Sequence, residues 1–125
     1  MSSPKNLVWG FTLAILLVMG MPTARADGQP ETIKGYVLDS ACAFTKGLKK
    51  PISGECAVAC AKAGSPLVIL TDTGIIYWPI SDAPPAQGQN ARLMEFAGKM
   101  VMVKGKVYQR GGSRAVVIAA IEAAK

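Results

Sequence analysis

The stretch 99–109 constrains the fold more than any other part of this sequence, because its residues alternate between two faces. Val101, Val103, Gly105 and Val107 lie on one side, and mostly longer or polar residues lie on the other. A period of two is typical of a half-buried β-strand. A glycine inside such a long strand allows a sharp bend, as the strands of a small barrel require. We therefore expect a mainly β fold with curved strands.

Four further segments have the composition of strands. They are apolar or alternating runs at 32–39, 67–71, 75–80 and 114–121. Gly35 lies inside the first of them and also permits a bend or a bulge. The residues 71–74, Thr-Asp-Thr-Gly, are suited to a tight turn between the second and third strands.

Two short helices are expected between the strands. Ser53 is a favourable N-cap for a helix over 54–63 that ends at Gly64. Asn90 is a second N-cap, for a helix over 90–97 that Gly98 ends. The segment 40–51, which contains Cys42, has no clean period and is predicted to be a loop.

The order of these elements predicts an OB-like five-stranded barrel with a Cys-bearing helical insertion after strand one. Without that insertion, the order is three strands, a helix that plugs the barrel, and two strands, as in the OB fold. A two-layer α+β sandwich is the alternative, and the strand order and the glycine positions favour the barrel. The predicted domain covers residues 32–125, preceded by a flexible lead at 27–31.

The N-terminal 26 residues have the pattern of a secretory signal peptide. Lys5 precedes an apolar run at 7–19, and small residues at 24 and 26 predict cleavage between Ala26 and Asp27. An uncleaved membrane anchor is the alternative, but the run is shorter than the ~20 residues of a spanning helix. We therefore expect a periplasmic or secreted protein with no stable membrane anchor after cleavage.

Composition excludes several classes of function. The chain contains no histidine, which removes Ser-His-Asp and Cys-His catalysis and nearly all catalytic zinc sites. Its net charge of +6 is spread along the sequence without a long basic run, and phosphate-binding loops are missing. We therefore expect neither an enzyme nor a nucleic-acid-binding protein.

Three segments together resemble a family of small exported bacterial proteins, largely uncharacterised, with an OB-like barrel and a C…CxxxC cysteine pattern. They are GYVLDSAC at 35–42, CAVACAKAG at 56–64 and AGKMVMVKG at 97–105. The resemblance implies the same barrel and export. Many of these relatives carry Gly after the first cysteine and His shortly afterwards, whereas this chain has Ala43 and then Phe44-Thr45-Lys46.

The three cysteines form the main candidate site. Cys56 and Cys60 are four apart on the predicted helix, so their Cβ atoms are expected ~6 Å apart, too far for a disulfide unless the helix opens. Either of them is expected to pair with Cys42, which would pin the insertion to the barrel. Alternatively, all three bind a soft ion such as Cu(I) as thiolates. Neither the spacing nor the scaffold matches a Cys-x-x-Cys oxidoreductase.

A second candidate surface follows from the OB topology. OB barrels bind ligands along strands two and three through aromatic and cationic side chains. The ligand-face candidates in this sequence are Tyr36, Tyr77, Trp78 and Lys104. The expected function is an exported, non-catalytic binding or accessory module without a cofactor, whose partner is a protein or a small ligand. The alternative is a copper-binding protein that uses the three cysteines.

Overall fold

The computed structural model describes Gly20 and residues 28–125 as a closed five-stranded barrel. The strands are β1 (Gln29–Asp39), β2 (Leu67–Leu70), β3 (Ile76–Pro79), β4 (Met100–Arg110) and β5 (Ser113–Ala123). Their order around the barrel is β1-β2-β3-β5-β4, and β3 pairs with β5 in parallel. This arrangement confirms the predicted OB-like barrel and excludes the sandwich. The predicted signal peptide lies outside the described residues except for Gly20. Its predicted cleavage site, between Ala26 and Asp27, also lies outside them.

Three short α-helices and one 3₁₀ helix complete the domain. They are α1 (Ser40–Thr45), α2 (Gly54–Lys62), α3 (Asn90–Leu93) and the 3₁₀ helix Met94–Phe96. The prediction of a loop over 40–51 was therefore wrong for its first half, 40–45, which forms α1. Asp39 accepts a hydrogen bond from the amide of Cys42 and caps α1, an interaction that periodicity does not reveal.

The beginning of β1 differs from the prediction as well. Residues 29–31 were expected in a flexible lead, yet they belong to β1 and pair with residues 105–107 of β4. The partner strand lies about 75 residues away in sequence, so local polarity does not report this pairing. β1 pairs with β4 over its first part and with β2 over its last four residues, Tyr36–Asp39.

Two glycines allow the close approaches that the long strands require. A Cβ on Gly35 would lie 2.7 Å from the carbonyl oxygen of Leu70. A Cβ on Gly105 would overlap the carbonyl of Val117, at the point where the β4–β5 register shifts. Both positions therefore permit the curvature that the sequence predicted.

The barrel core is filled from the strands and closed by helices. Its fully buried side chains include Val37, Ile69, Val101 and Val116, and Leu93 of α3 enters the same cluster. The second predicted helix thus plugs the barrel as expected. Asn90 does not cap it; its side chain instead donates to the carbonyl of Ser65 and accepts from the amide of Leu67, the first residue of β2.

A second apolar cluster lies on the outer side of β1, β2 and β3. Leu38, Val68 and Leu70 pack there against Ala43 of α1 and against the loop that follows it. Because β2 is buried on both faces, its sequence Leu-Val-Ile-Leu is apolar throughout rather than alternating. The insertion between β1 and β2 therefore covers one side of the barrel.

Candidate functional site

The insertion brings two helix N-termini together, and each carries a cysteine at the same position. Asp39 caps α1 and accepts a hydrogen bond from the amide of Cys42 at 3.1 Å. Ser53 caps α2 and accepts one from the amide of Cys56, also at 3.1 Å. Both cysteines are therefore third residues of their helices, held by the same capping geometry. Cys42 was predicted to lie in a loop, and the carboxylate three residues before it is the signal that could have indicated the helix.

The three cysteines lie near one another at this point. Cys42 and Cys56 line a common cleft, and the nearby Cys56 thiol helps to raise the pKa of both the Cys42 and the Cys60 thiols. Cys56 is exposed, and the other two are half-buried. The structure thus places the three residues that the sequence singled out in one neighbourhood, with Cys56 close to both of the others.

The cysteines are free thiols in the structure, so the predicted disulfide is not formed there. Burial raises the pKa of the Cys42 thiol, and the nearby charge of Asp39 raises it further. The pKa of Cys60 is also raised, first by desolvation and then by the neighbouring Cys56 thiol. Both groups therefore favour the protonated form. Among the described residues, no set of three or more Cys, Asp or Glu side chains is arranged to hold a metal ion.

A small cleft opens beside Cys42 and Cys56. Its volume is about 70 Å³, enough for roughly two water molecules. The exposed side chains of Lys46 and Lys49 line it, together with the buried carboxylate of Asp39 and the apolar groups of the loop after α1. The cleft thus combines two thiols with two cations.

Asp39 holds the base of this cleft together. It is only 3% exposed and accepts hydrogen bonds from the Ser65 hydroxyl and from the amide of Cys42. Burial alone raises the pKa of its carboxyl, but these hydrogen bonds outweigh burial and leave the pKa below its ordinary value. Asp39 is therefore a buried, charged cap. Asp39 was not among the site residues predicted from the sequence.

The aromatic candidates do not form one surface. Tyr36 and Trp78 both belong to the outer cluster beside the insertion, whereas Tyr77 packs against the barrel core. Burial raises the pKa of the Tyr77 hydroxyl, and Glu31 adds to this effect. Lys104 lies on β4, in the linings of two other grooves. Only two of the four predicted ligand-face residues therefore share a surface.

Two residues that the sequence analysis did not assign to the ligand face extend that surface. Phe44 of α1 is 66% exposed, and its ring centroid lies 6.2 Å from that of Trp78. The Lys50 ammonium lies 4.5 Å from the centre of the Tyr36 ring and donates to its hydroxyl at 3.3 Å. Because 40–51 was predicted to be a loop, nothing in the sequence placed Phe44 beside Trp78. We call Tyr36, Phe44, Lys50 and Trp78 the aromatic face.

Comparisons with protein-family models, with curated proteins and with solved structures found no match for this chain. Among the described residues, no helix is both long enough and apolar enough to cross a bilayer.

Proposed function

We propose that this chain is an exported, non-catalytic binding or accessory module that presents its aromatic face to a protein partner. The observation that carries the proposal is Phe44. It is the only exposed large hydrophobic side chain among the described residues, and its ring lies next to that of Trp78, beside the outer cluster. Exposed aromatic rings next to cations are enriched where proteins meet other proteins.

The geometry of this surface favours a protein over a small ligand. Small ligands are bound mostly in concave sites that enclose them. Phe44 instead projects from a short helix, and the groove beside it is flanked by Trp78 and Arg114. A projecting ring has more to contact on a polypeptide surface than on a small molecule.

Export enters the proposal through the N-terminal pattern alone. The charged start, the apolar run and the small residues before Asp27 support cleavage and a periplasmic or secreted location. N-terminal sequencing of the protein recovered from outside the cytoplasm tests this part. A mature chain that begins at Asp27 supports it, and a full-length chain recovered from the cytosol contradicts it.

The proposed module is held together by one disulfide between Cys42 and Cys56. These two residues line the same cleft and belong to different helices of the insertion. A Cys56–Cys60 bridge would require α2 to open, because residues four apart on a helix are too distant. In an oxidising compartment, the Cys42–Cys56 bond is therefore the one that we expect to form.

Binding tests the proposed face directly. The wild-type domain, Phe44→Ser and the control Ala86→Ser are each immobilised and exposed to the periplasmic and secreted proteins of the source cell. Both substitutions change exposed side chains, so neither is expected to disturb the core. We expect a partner that the wild type and Ala86→Ser retain and that Phe44→Ser loses. Equal retention by all three would contradict the proposal.

A second candidate function is binding of a soft metal ion such as Cu(I). The specific observation in its favour is that the Cys56 thiol is close enough to Cys42 and Cys60 to raise the pKa of both, and binding would require the three sulfurs to move closer together than they are in the structure. Three thiolates suit a soft monovalent ion. Thiol titration of the exported protein separates the two candidates. One reactive thiol before reduction supports the disulfide, whereas three thiols that take up one equivalent of Cu(I) support the metal site.

A further inference from the structure

We propose that the cleft beside Cys42 and Cys56 is a thiol–disulfide exchange site for small anionic disulfides, with Cys56 as the attacking thiol and Cys42 as the resolving thiol. This inference rests on the proposed Cys42–Cys56 disulfide and adds the class of molecule that installs it. Three observations carry it: the exposure of Cys56, the cleft that it shares with Cys42, and the charges that line this cleft.

Accessibility assigns the roles of the two thiols. Cys56 is exposed at the first turn of α2, whereas Cys42 is half-buried behind it. A disulfide approaching from solvent therefore meets Cys56 first. The Cys42 thiol lines the same cleft as Cys56, so it is placed near the sulfur that it attacks in the second step.

The charges lining the cleft select the substrate. Lys46 and Lys49 are exposed in its lining, and Asp39, its only carboxylate, is buried and bonded to Ser65 and Cys42. Glu55 lies beside Cys56 in sequence but lines a different groove, between α2 and the 3₁₀ helix. The entrance is therefore positive, and it favours a disulfide that carries carboxylates.

The size of the cleft is consistent with a substrate of which only the disulfide enters it. About 70 Å³ accommodates a sulfur atom and its nearest neighbours, but not an entire peptide. The remainder of the substrate lies outside, where the two lysine side chains reach it. A molecule such as oxidised glutathione, with carboxylates on flexible arms around a central disulfide, has this chemistry.

The exchange balances in two steps. The Cys56 thiolate attacks one sulfur of the small disulfide, the S–S bond of that molecule breaks, and one small thiolate leaves. The Cys42 thiol then loses its proton to solvent and attacks the Cys56 sulfur. The mixed disulfide breaks, the second small thiolate leaves, and the Cys42–Cys56 bond forms. The protein loses two electrons to the small disulfide, which is reduced to two thiols.

The test compares two oxidants on the reduced mature domain. Oxidised glutathione is anionic and hydroxyethyl disulfide is uncharged, and the rates of oxidation are followed by alkylation and mass spectrometry. In the double variant Lys46→Gln/Lys49→Gln, we expect the rate ratio of glutathione to hydroxyethyl disulfide to fall roughly fivefold at low salt. The matched control is Lys104→Gln/Lys106→Gln, which removes two exposed charges from β4, outside the cleft, and should leave the ratio unchanged.

The order of the two thiols is tested on the same reaction. In Cys42→Ser, we expect a glutathione adduct to accumulate on Cys56, located by peptide mapping. If that variant does not fold, rapid quenching of the wild type should trap the same adduct before the disulfide closes. An adduct on Cys42 or Cys60, or an unchanged rate ratio in Lys46→Gln/Lys49→Gln, would overturn the inference.

The outcomes also separate this inference from the proposed disulfide. If both oxidants form the Cys42–Cys56 bond and the lysines have no effect, the disulfide stands and the anionic site is wrong. If neither oxidant joins Cys42 to Cys56, both proposals are wrong.

Discussion

At the scale of single residues, Asp39 has several structural roles at once. It ends β1, caps α1 through the amide of Cys42 and receives the Ser65 hydroxyl from the segment after α2. Its carboxylate is buried, so the hydrogen bonds replace the water that it lost. One side chain thus connects the barrel to both ends of the cysteine-bearing insertion.

Replacing this charge is expected to destabilise the domain. Asp39→Asn keeps the shape but places an NH₂ group where one oxygen accepts a hydrogen bond. The free energy of unfolding at pH 7 should fall by about 1–3 kcal/mol. Urea denaturation measures the loss, and Asp72→Asn, in the exposed β2–β3 turn, is the matched control. Equal stability of the two variants would contradict the role of Asp39.

The same residue predicts a dependence on pH. The pKa of Asp39 in the folded protein lies below its ordinary value of 3.8, so the folded state favours the ionised form. Its contribution to stability is complete above that ordinary value and is lost as pH falls towards the folded pKa. Denaturation of the wild type between pH 5 and pH 2 should therefore show a steeper acid loss than Asp39→Asn does. Parallel curves would indicate that other carboxylates cause the acid sensitivity.

Gly105 gives a second prediction at this scale. A methyl group there would overlap the Val117 carbonyl, which belongs to the backbone of the neighbouring strand and has little room to move. Gly105→Ala should lower the free energy of unfolding by about 1–3 kcal/mol. Gly88→Ala, where a Cβ meets nothing within 4 Å, should change it little. Similar melting temperatures for both variants would show that the bulge tolerates a side chain.

At the scale of elements, the insertion is attached to the barrel by apolar packing and by a few directed hydrogen bonds. Ala57 and Ala61 of α2 enter the main core, and Ala43 of α1 enters the outer cluster. The small side chains let both helices approach the strands closely. This packing holds the N-termini of α1 and α2, and therefore Cys42 and Cys56, at a common point.

Asn90 links α3 to the end of the insertion. Its amide oxygen accepts from the amide of Leu67 at 2.9 Å, and its NH₂ group donates to the carbonyls of Ser65 at 2.7 Å and Ala61 at 3.4 Å. Asn90→Ala should cost about 1–3 kcal/mol and speed hydrogen exchange at the Leu67 amide. Gln89→Ala, which removes only an exposed bond to Gln87, is the control. Unchanged exchange at Leu67 would exclude this linking role.

For the molecule as a whole, the order of the strands and helices together with the glycine positions predicted the barrel, which the structure confirms. Val101, Val103 and Val107 are buried on one face of β4, as their spacing indicated. What could not be predicted depends on partners distant in sequence. Gln29 of β1 pairs with Val107 of β4, and the Asn90 side chain bonds to distant backbone groups rather than capping its own helix.

The candidate site was predictable to a similar extent. The cysteine cluster followed from helical spacing and from the position of Cys42 after the first strand. The aromatic face could not be predicted in this way. Alternation places Tyr77 and Trp78 on opposite faces of the strand but does not indicate which of them faces the core. Phe44 was missed because a six-residue helix with a single capping carboxylate leaves almost no periodic signal.

The proposed disulfide makes a prediction for the stability of the whole domain. Joining Cys42 to Cys56 closes a loop of about 15 residues, which should stabilise the fold by about 3 kcal/mol, mainly by restricting the unfolded chain. Urea denaturation of the exported protein, with and without reductant, measures this difference. Cys60→Ser should retain it, because Cys60 is not a partner, and Cys56→Ser should lose it. If Cys60→Ser abolished the difference instead, the bridge would run from Cys60, and the first turn of α2 would carry the free thiol. That result would also remove Cys56 from the exchange reaction, since its sulfur would then have no resolving partner in the native fold.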